Sequence, residues 1–302
     1  MKKKDYLAFV CLFCLLGCSK PDINLMPEKK FPVQFSLRLT EEVLPFKAHT
    51  IEPPTDSAEV CELDELCNAI EYIVFKEDNT TKPIRSQKYT PADEDFGIVY
   101  DSLPSGNYNI VFIAYTSCIA TLLGHVMTFN KLSDTFHSAF TLKIQSEEGL
   151  TKDVSLNRIV GKIEFVATDT LPAEIIRFAA EITPYSKQLD VITGKSTVPL
   201  GSIESYTMGY DFFPEEEGKA NLSLSFLTFI PSPNEKFNIE TKAFNTGRKI
   251  TRQRNINDVT PLANRTIRYT GQLYTPAVSD DTFDIEIEEN GKWGDTIDIR
   301  FN

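Results

Sequence analysis

LPSGNYNIVFIAYT, residues 103–116, sets the terms for the whole chain. LPSG has the composition of a turn, and the residues after it are β-branched, aromatic and almost uninterrupted by charge. Side chains alternate across a strand, so Tyr108, Ile110, Phe112 and Ala114 fall on one face and Val111, Ile113 and Tyr115 on the other. Both faces are apolar. A strand of this kind is covered on both sides, as in a sheet sandwiched between other layers.

The same grammar runs outward in both directions. VQFSLRLT (33–40) alternates strictly, with Val33, Phe35, Leu37 and Leu39 on one side and polar residues on the other, a half-buried strand. IEYIVFK (70–76), FHSAFTLKI (136–144), VSLNRIVGKIEFVA (154–167) and IIRFAAEIT (175–183) continue it. NLSLSFLTFI (221–230), KFNIETKAF (236–244), RTIRYTGQL (265–273), FDIEIEE (283–289) and TIDIRF (296–301) complete the set, with Asn290-Gly291 as a hairpin signal between the last two. Residues 41–60 read as loop and 62–69 as one or two helical turns. No helical period is sustained for three or four turns. The expected fold is all-β: two tandem antiparallel β-sandwiches, 33–149 and 150–302, with SEEGL (146–150) at the boundary. A chain of 302 residues is more than one typical core requires.

The N-terminus reads differently. Lys2, Lys3 and Lys4 precede an apolar run, 6–17, which is too short to span a bilayer and of the right length for a signal peptide. It ends in Leu15-Leu16-Gly17-Cys18, the pattern of a bacterial lipobox. Residues 1–17 are therefore expected to leave as a leader. Cys18 is expected to carry acyl chains, which anchor durably when two or more are present. Residues 18–32, with three prolines, form a tether. No other apolar stretch is long enough to cross a membrane.

Composition narrows the partners. The chain carries a net charge of −12, and losing a leader with three Lys and one Asp leaves it more acidic still, which disfavours nucleic acid. After Cys18 come Cys61, Cys67 and Cys118. Cys61 and Cys67 either form a local disulfide in an oxidising compartment or stand as partly buried thiols. His49, His125 and His137 are scattered outside any metal-binding frame, and no phosphate-loop, dinucleotide or hydrolase-elbow motif occurs. Asp93-Glu94-Asp95 and Asp280, Asp281 and Asp284 could offer oxygens to calcium but lack EF-hand spacing, and read better as solvated loop charge. Trp293 could stack a sugar, and reads better as packing beside the last hairpin. Neither an enzyme nor a cofactor, metal or small-molecule substrate is expected.

Taken in order, these elements resemble the fimbrillin superfamily of Bacteroidales type V pili, and in particular its FimB/Mfa-type anchor subunits. The resemblance spans roughly 31–302. It rests on the lipobox, the LPSGNYNIVFIAY strand, the closing NGKWGDTIDIRF, and above all Leu156, Arg158, Val160, Gly161, Lys162 and Ile163. It implies two transthyretin-like Greek-key sandwiches, a lipoprotein precursor in the outer membrane, and fimbrial subunits as partners through β-strand complementation. Shaft subunits of such pili lose their first strand to an arginine-specific protease, and Arg38 is the first arginine after the leader. They also carry an extra C-terminal donor segment. Here Asn302 follows directly on the final hairpin, which favours an anchor, unless 296–301 is itself the donor. A shaft or tip subunit, or a glycan-binding surface lipoprotein, are the rival readings. Asp56-Ser57, Asp101-Ser102, Asp169-Thr170 and Asp295-Thr296, each followed by an apolar residue, resemble the O-glycosylation sequon of exported Bacteroidetes proteins.

Overall fold

The computed structural model describes residues 28–40, 45–46, 62–116, 119–145, 149–197, 204–230, 236–275 and 282–289. The leader, Cys18, the Asn290-Gly291 turn, Trp293 and the segment 296–301 lie outside these residues.

The first half contains β1 (Lys30–Leu39), a single helical turn α1 (Leu63–Leu66), β2 (Ala69–Lys76), β3 (Arg85–Tyr89), β4 (Ile98–Pro104) and β5 (Gly106–Tyr115). A short hairpin, β6 (Ala120–Leu123) and β7 (Val126–Phe129), precedes β8 (Thr135–Ile144) and β9 (Leu150–Arg158). Seven of these strands are joined in the order β3-β2-β5-β8-β9-β1-β4. The β8–β9 join is a corner, where only Phe136↔Arg158 and His137↔Asn157 pair. Beyond it β9-β1-β4 lies across β3-β2-β5-β8, and the apolar side chains of both layers interdigitate. Phe35 of β1 meets Phe112 of β5 edge-on at 5.3 Å between ring centroids. LPSG is the crossing between the layers: β4 and β5 follow one another in sequence but do not pair.

The second half contains β10 (Val160–Ala167), β11 (Ile175–Thr183), β12 (Gln188–Asp190), β13 (Lys195–Thr197), β14 (Tyr206–Asp211), β15 (Ser223–Phe229), β16 (Phe237–Asn245), β17 (Ile250–Val259), β18 (Arg265–Gly271) and β19 (Asp284–Glu289). Two sheets, β15-β10-β18-β19 and β14-β11-β16-β17, face each other, with the Phe165 and Phe178 rings 5.8 Å apart in the core between them.

The two halves share one strand plan. In each, the first strand lies between the fourth and the last, β4-β1-β9 and β15-β10-β18, and pairs in parallel with the last. In each, the second strand lies between the third and the fifth, β3-β2-β5-β8 and β14-β11-β16-β17. The remaining pairings between strands are antiparallel. β19 is an addition to the second unit, on the outer side of β18.

The expected strand 154–167 is two strands. Leu150–Arg158 belongs to the first unit and Val160–Ala167 to the second, so the chain changes sheets at Ile159. A fourth sheet, β13-β12-β7-β6, takes its strands from both halves. One core cluster, around Phe35, Tyr72 and Phe112, is confined to the first unit. The other joins the far faces of β2 and β5 (Ile73, Phe75, Val111, Ile113, Tyr115) to Met127, Phe129 and the whole interior of the second unit. β5 is thus covered on both faces, as its alternation requires.

Gly161, two residues past the crossing at Ile159, packs against the connection between β17 and β18: a Cβ there would come within 2.6 Å of the Leu262 carbonyl oxygen. Gly161→Ala is expected to cost about 1–3 kcal/mol, because the obstruction is backbone rather than a movable side chain. Urea denaturation of the two proteins measures this.

Candidate functional site

The strand that begins the fold occupies a two-sided slot. β1 runs antiparallel to β4, from Lys30↔Pro104 to Ser36↔Ile98, and parallel to β9, from Val33↔Leu150 to Leu39↔Leu156. Among the described residues β4 pairs with no other strand, so there β1 alone ties it to its layer. Phe31, Val33, Phe35, Leu37 and Leu39 are buried, whereas Arg38 is exposed opposite Ser155 of β9. Phe35 is the anchor, with no exposed surface and rings of Tyr72, Phe112 and Phe140 at 5.8, 5.3 and 6.1 Å. Such a strand is held by ladder hydrogen bonds on two edges and by alternate side chains in pockets. That is the chemistry by which one extended segment can substitute for another.

The junction of the two units is ionic. Arg158, the last residue of β9, has no exposed side-chain surface. Its Nε and Nη2 each donate at 2.6 Å to the two carboxylate oxygens of Asp134, and Nη1 donates at 2.7 Å to Asn264 Oδ1 in the second unit. The Phe46 and Phe136 rings lie 4.2 and 5.1 Å from the guanidinium carbon. Burial lifts the Asp134 carboxyl above its usual range, and the guanidinium offsets this only in part.

A second ionic group lies on the outer face of β10. Glu164 is opposite Arg268 across the parallel β10–β18 pair. It accepts from Arg268 Nε at 2.7 Å, Lys162 Nζ at 3.0 Å and Ser223 Oγ at 2.8 Å. Arg268 continues to Glu288 and Glu286 of β19 at 2.8 and 3.2 Å. Burial pushes the Glu164 carboxyl up, but the two cations outweigh it and hold it below its ordinary value. A cleft of about 890 Å³ opens beside both ionic groups, lined by Phe46, Leu132, Asp134, Lys162, Glu164 and Tyr206 among others. Lys162 and Glu164 engage each other and Asp134 engages Arg158, which is the pattern of a structural junction.

The residues singled out in the sequence separate here. Leu156, Arg158, Val160, Gly161, Lys162 and Ile163 fall together on the crossing at Ile159: core, clamp, core, close approach, ion pair, core. Of the charged and amide groups that engage them directly or through Glu164, Asp134, Arg268 and Asn264 carry no sequence signal, because nothing in the spacing ties residue 134 to 158 or 264. Cys67 is a buried free thiol whose pKa is raised by desolvation; Cys18, Cys61 and Cys118 lie outside the described residues. His125 is in the β6–β7 turn, and half-buried His137 places Nε2 2.8 Å from the Val191 carbonyl. Asp93 accepts from the Thr90 amide and hydroxyl, Asp101 from Tyr72 and Arg85, and Asp169 from the amides of residues 273–275. His49, Asp280 and Asp281 are not among the described residues. Within those residues no group of three or more His, Cys, Asp or Glu could hold a metal ion, and no helix is long and apolar enough to cross a membrane.

Comparison with known proteins agrees with this architecture. Residues 32–302 match the family of fimbrillin-A associated anchor proteins Mfa1 and Mfa2, and the chain belongs to that family. It is a fimbrial protein of the cell surface, from a family of structural and anchor proteins rather than enzymes. Its fold is similar to that of a candidate adhesin from Bacteroides ovatus (14% identity, TM-score 0.54, covering 89% of this chain and 96% of that one). A candidate adhesin from Bacteroides thetaiotaomicron is similar at 11% identity and TM-score 0.54, with 92% and 100% covered. The fimbrial anchor protein Mfa2 from Porphyromonas gingivalis gives 11% identity and TM-score 0.49, with 89% and 99% covered. No curated protein matches at a significant level.

Two expectations follow from the junction. Arg158→Met strands a buried carboxylate and is expected to cost about 3–5 kcal/mol, and pairing it with Asp134→Leu should recover at least half of that loss. Urea melts of the three proteins decide. The second concerns His137, whose pKa burial holds below its ordinary value of 6.5, with Asp190 opposing the shift. The unfolded chain therefore takes up this proton first. The contribution is intact above pH 6.5 and declines as pH falls toward the lower folded value. Replacing His137 by Gln should flatten the Tm–pH profile below that point.

Proposed function

We propose that this chain is an outer-membrane lipoprotein that anchors the base of a fimbria, held by acyl chains on Cys18 and joined to its neighbour by β-strand complementation. The observation that carries the reading is the position of β1. It follows the tether, its apolar face is wholly buried, and among the described residues it is the only link of β4 to its layer. In place, it ties the folded unit to Cys18; displaced from its slot, it leaves two open edges and a row of empty apolar pockets, which a donor strand from another subunit restores. Family membership supplies the fimbrial context.

On the same reading, an unprocessed β1 suits a subunit that keeps its lipid, whereas cleavage after exposed Arg38 would take away nearly the whole strand and make the chain a polymerising subunit. The division between an N-terminal and a C-terminal sandwich belongs at Ile159, where β9 hands over to β10. A Cys61–Cys67 bridge would fasten α1 to the connection that precedes it.

Fractionation and pull-down from native cells test the proposal. Wild type is expected in the outer membrane with fimbrial subunits attached, and Cys18→Ala is expected to shed fibres into the medium. Membrane-bound protein that brings down no fimbrial subunit overturns the anchor role. A chain found along isolated fibres, beginning after Arg38, replaces it with a shaft role.

A further inference from the structure

Sheet edges are where a β-protein invites unwanted pairing, and charged residues or proline are the usual guards. This chain guards most of its described edges in that way. β3 carries Arg85 and Lys88, β4 carries Asp101 and Pro104, and β13 carries Lys195. β14 carries Asp211, β17 carries Arg252, Arg254 and Asp258, and β19 is acidic. β15 has no charge, but its exposed residues, Ser223 and Ser225, are hydroxylic.

β6 is the exception. It is the terminal strand of the sheet that straps the two units together, and among the described residues it pairs only with β7. Gly124 takes the left-handed conformation, φ +63°, that its tight turn requires. Leu123 is 83% exposed and Ile119, just before the strand, is 60% exposed. From Thr116 to Asn130 there is no Asp, Glu, Lys or Arg, in a protein of net charge −12.

We infer that the β6 edge is a lateral contact between two copies of this chain, paired antiparallel about a two-fold axis at Thr121. Charge selects the occupant and the face. Two copies of an acidic protein repel over most of their surfaces, and this segment is where they can approach without like charges meeting. Register makes the edge complementary to itself. Ile119, Thr121 and Leu123 alternate onto one face, while Leu122 turns toward the core. Centring the pair on Thr121 sets Leu123 of one copy opposite Ile119 of the other, twice, with threonine facing threonine between them. The closed two-fold arrangement stops at two copies and gives one eight-stranded sheet. So short an edge buries far less than a stable dimer needs, which makes the contact weak in dilute solution and effective only where copies are already held side by side. β6 leaves from the end of β5 opposite to the end where β1 begins, so the contact is independent of strand exchange at β1.

Sedimentation velocity of the chain from residue 19 onward, which retains every described residue, tests the contact at concentrations up to about 500 μM. Wild type is expected to show reversible dimerisation that strengthens with concentration. Leu123→Lys is expected to weaken it at least tenfold with an unchanged thermal melt, since the side chain is exposed. Phe213→Lys, at an exposed apolar position elsewhere, is expected to leave it intact. A wild type that stays monomeric throughout, a Leu123→Lys variant that associates as before, or equal loss in both variants overturns the inference.

Discussion

A guanidinium with no exposed surface must find every partner inside the protein, and Arg158 finds them in three places that the chain visits far apart. Phe46 comes from the segment after β1, Asp134 and Phe136 from the entry to β8, and Asn264 from the turn before β18. An isolated charge in that position would be prohibitively costly, so the two units can form their shared core only in the arrangement that brings these groups together. The ion pair adds little net stability over an apolar substitute. What it does is exclude other relative orientations, because any rotation between units strands a carboxylate or an amide. The second core cluster, the strap of β6, β7, β12 and β13, and the close approach at Gly161 all lie around this point.

The ionic ladder on β10 follows the same logic one strand further out. Glu164 faces Arg268 in register, with Lys162 two residues along the same face. β10 is buried along its whole length, so its outer face needs partners as much as its inner one does. A wholly apolar outer face would have been simpler to bury but would tolerate a slip of register against β18. A buried cation opposite a buried carboxylate does not, since a shift of one residue turns both to the wrong side.

Alternation made the β5 reading possible, and it made β1, β2, β8, β11 and β16 legible as well, because each presents a continuous face to a core. β3, β12 and β13 were opaque for the opposite reason: they are short, polar or half-exposed, and depend on a neighbour rather than on their own pattern. The 154–167 segment misled for a subtler reason. Apolar residues continue through the crossing, and its one local sign, a change of phase from Val154 and Leu156 to Ile163 and Phe165 with Ile159 and Val160 adjacent, reads equally well as a bulge within one strand. The repeated strand plan is likewise invisible in composition, because topology is conferred by who pairs with whom. Arg158, Gly161 and Lys162 stood out in the sequence because they interrupt an apolar run; the acid that pairs with Lys162 is in the same run, at Glu164, while the one that pairs with Arg158, Asp134, lies elsewhere in the chain.

The repeat bears directly on how a strand could be exchanged. In the second unit, β10 fills a slot between β15 and β18, and it arrives there from β9 through a single residue. In the first unit, β1 fills the corresponding slot between β4 and β9, and it arrives from outside the fold. The chain thus contains, covalently made, the junction that strand complementation would make between subunits: the closing strand of one unit leading into the opening strand of the next. A donor strand entering the β1 slot would meet the same surroundings that β10 meets, a parallel partner on one side and an antiparallel one on the other. It would need only an alternating apolar face with an aromatic at the depth of Phe35. The requirement is physically modest, because the ladder is indifferent to sequence and the pockets specify one face alone. A fold built twice in one chain is therefore suited to being continued by another.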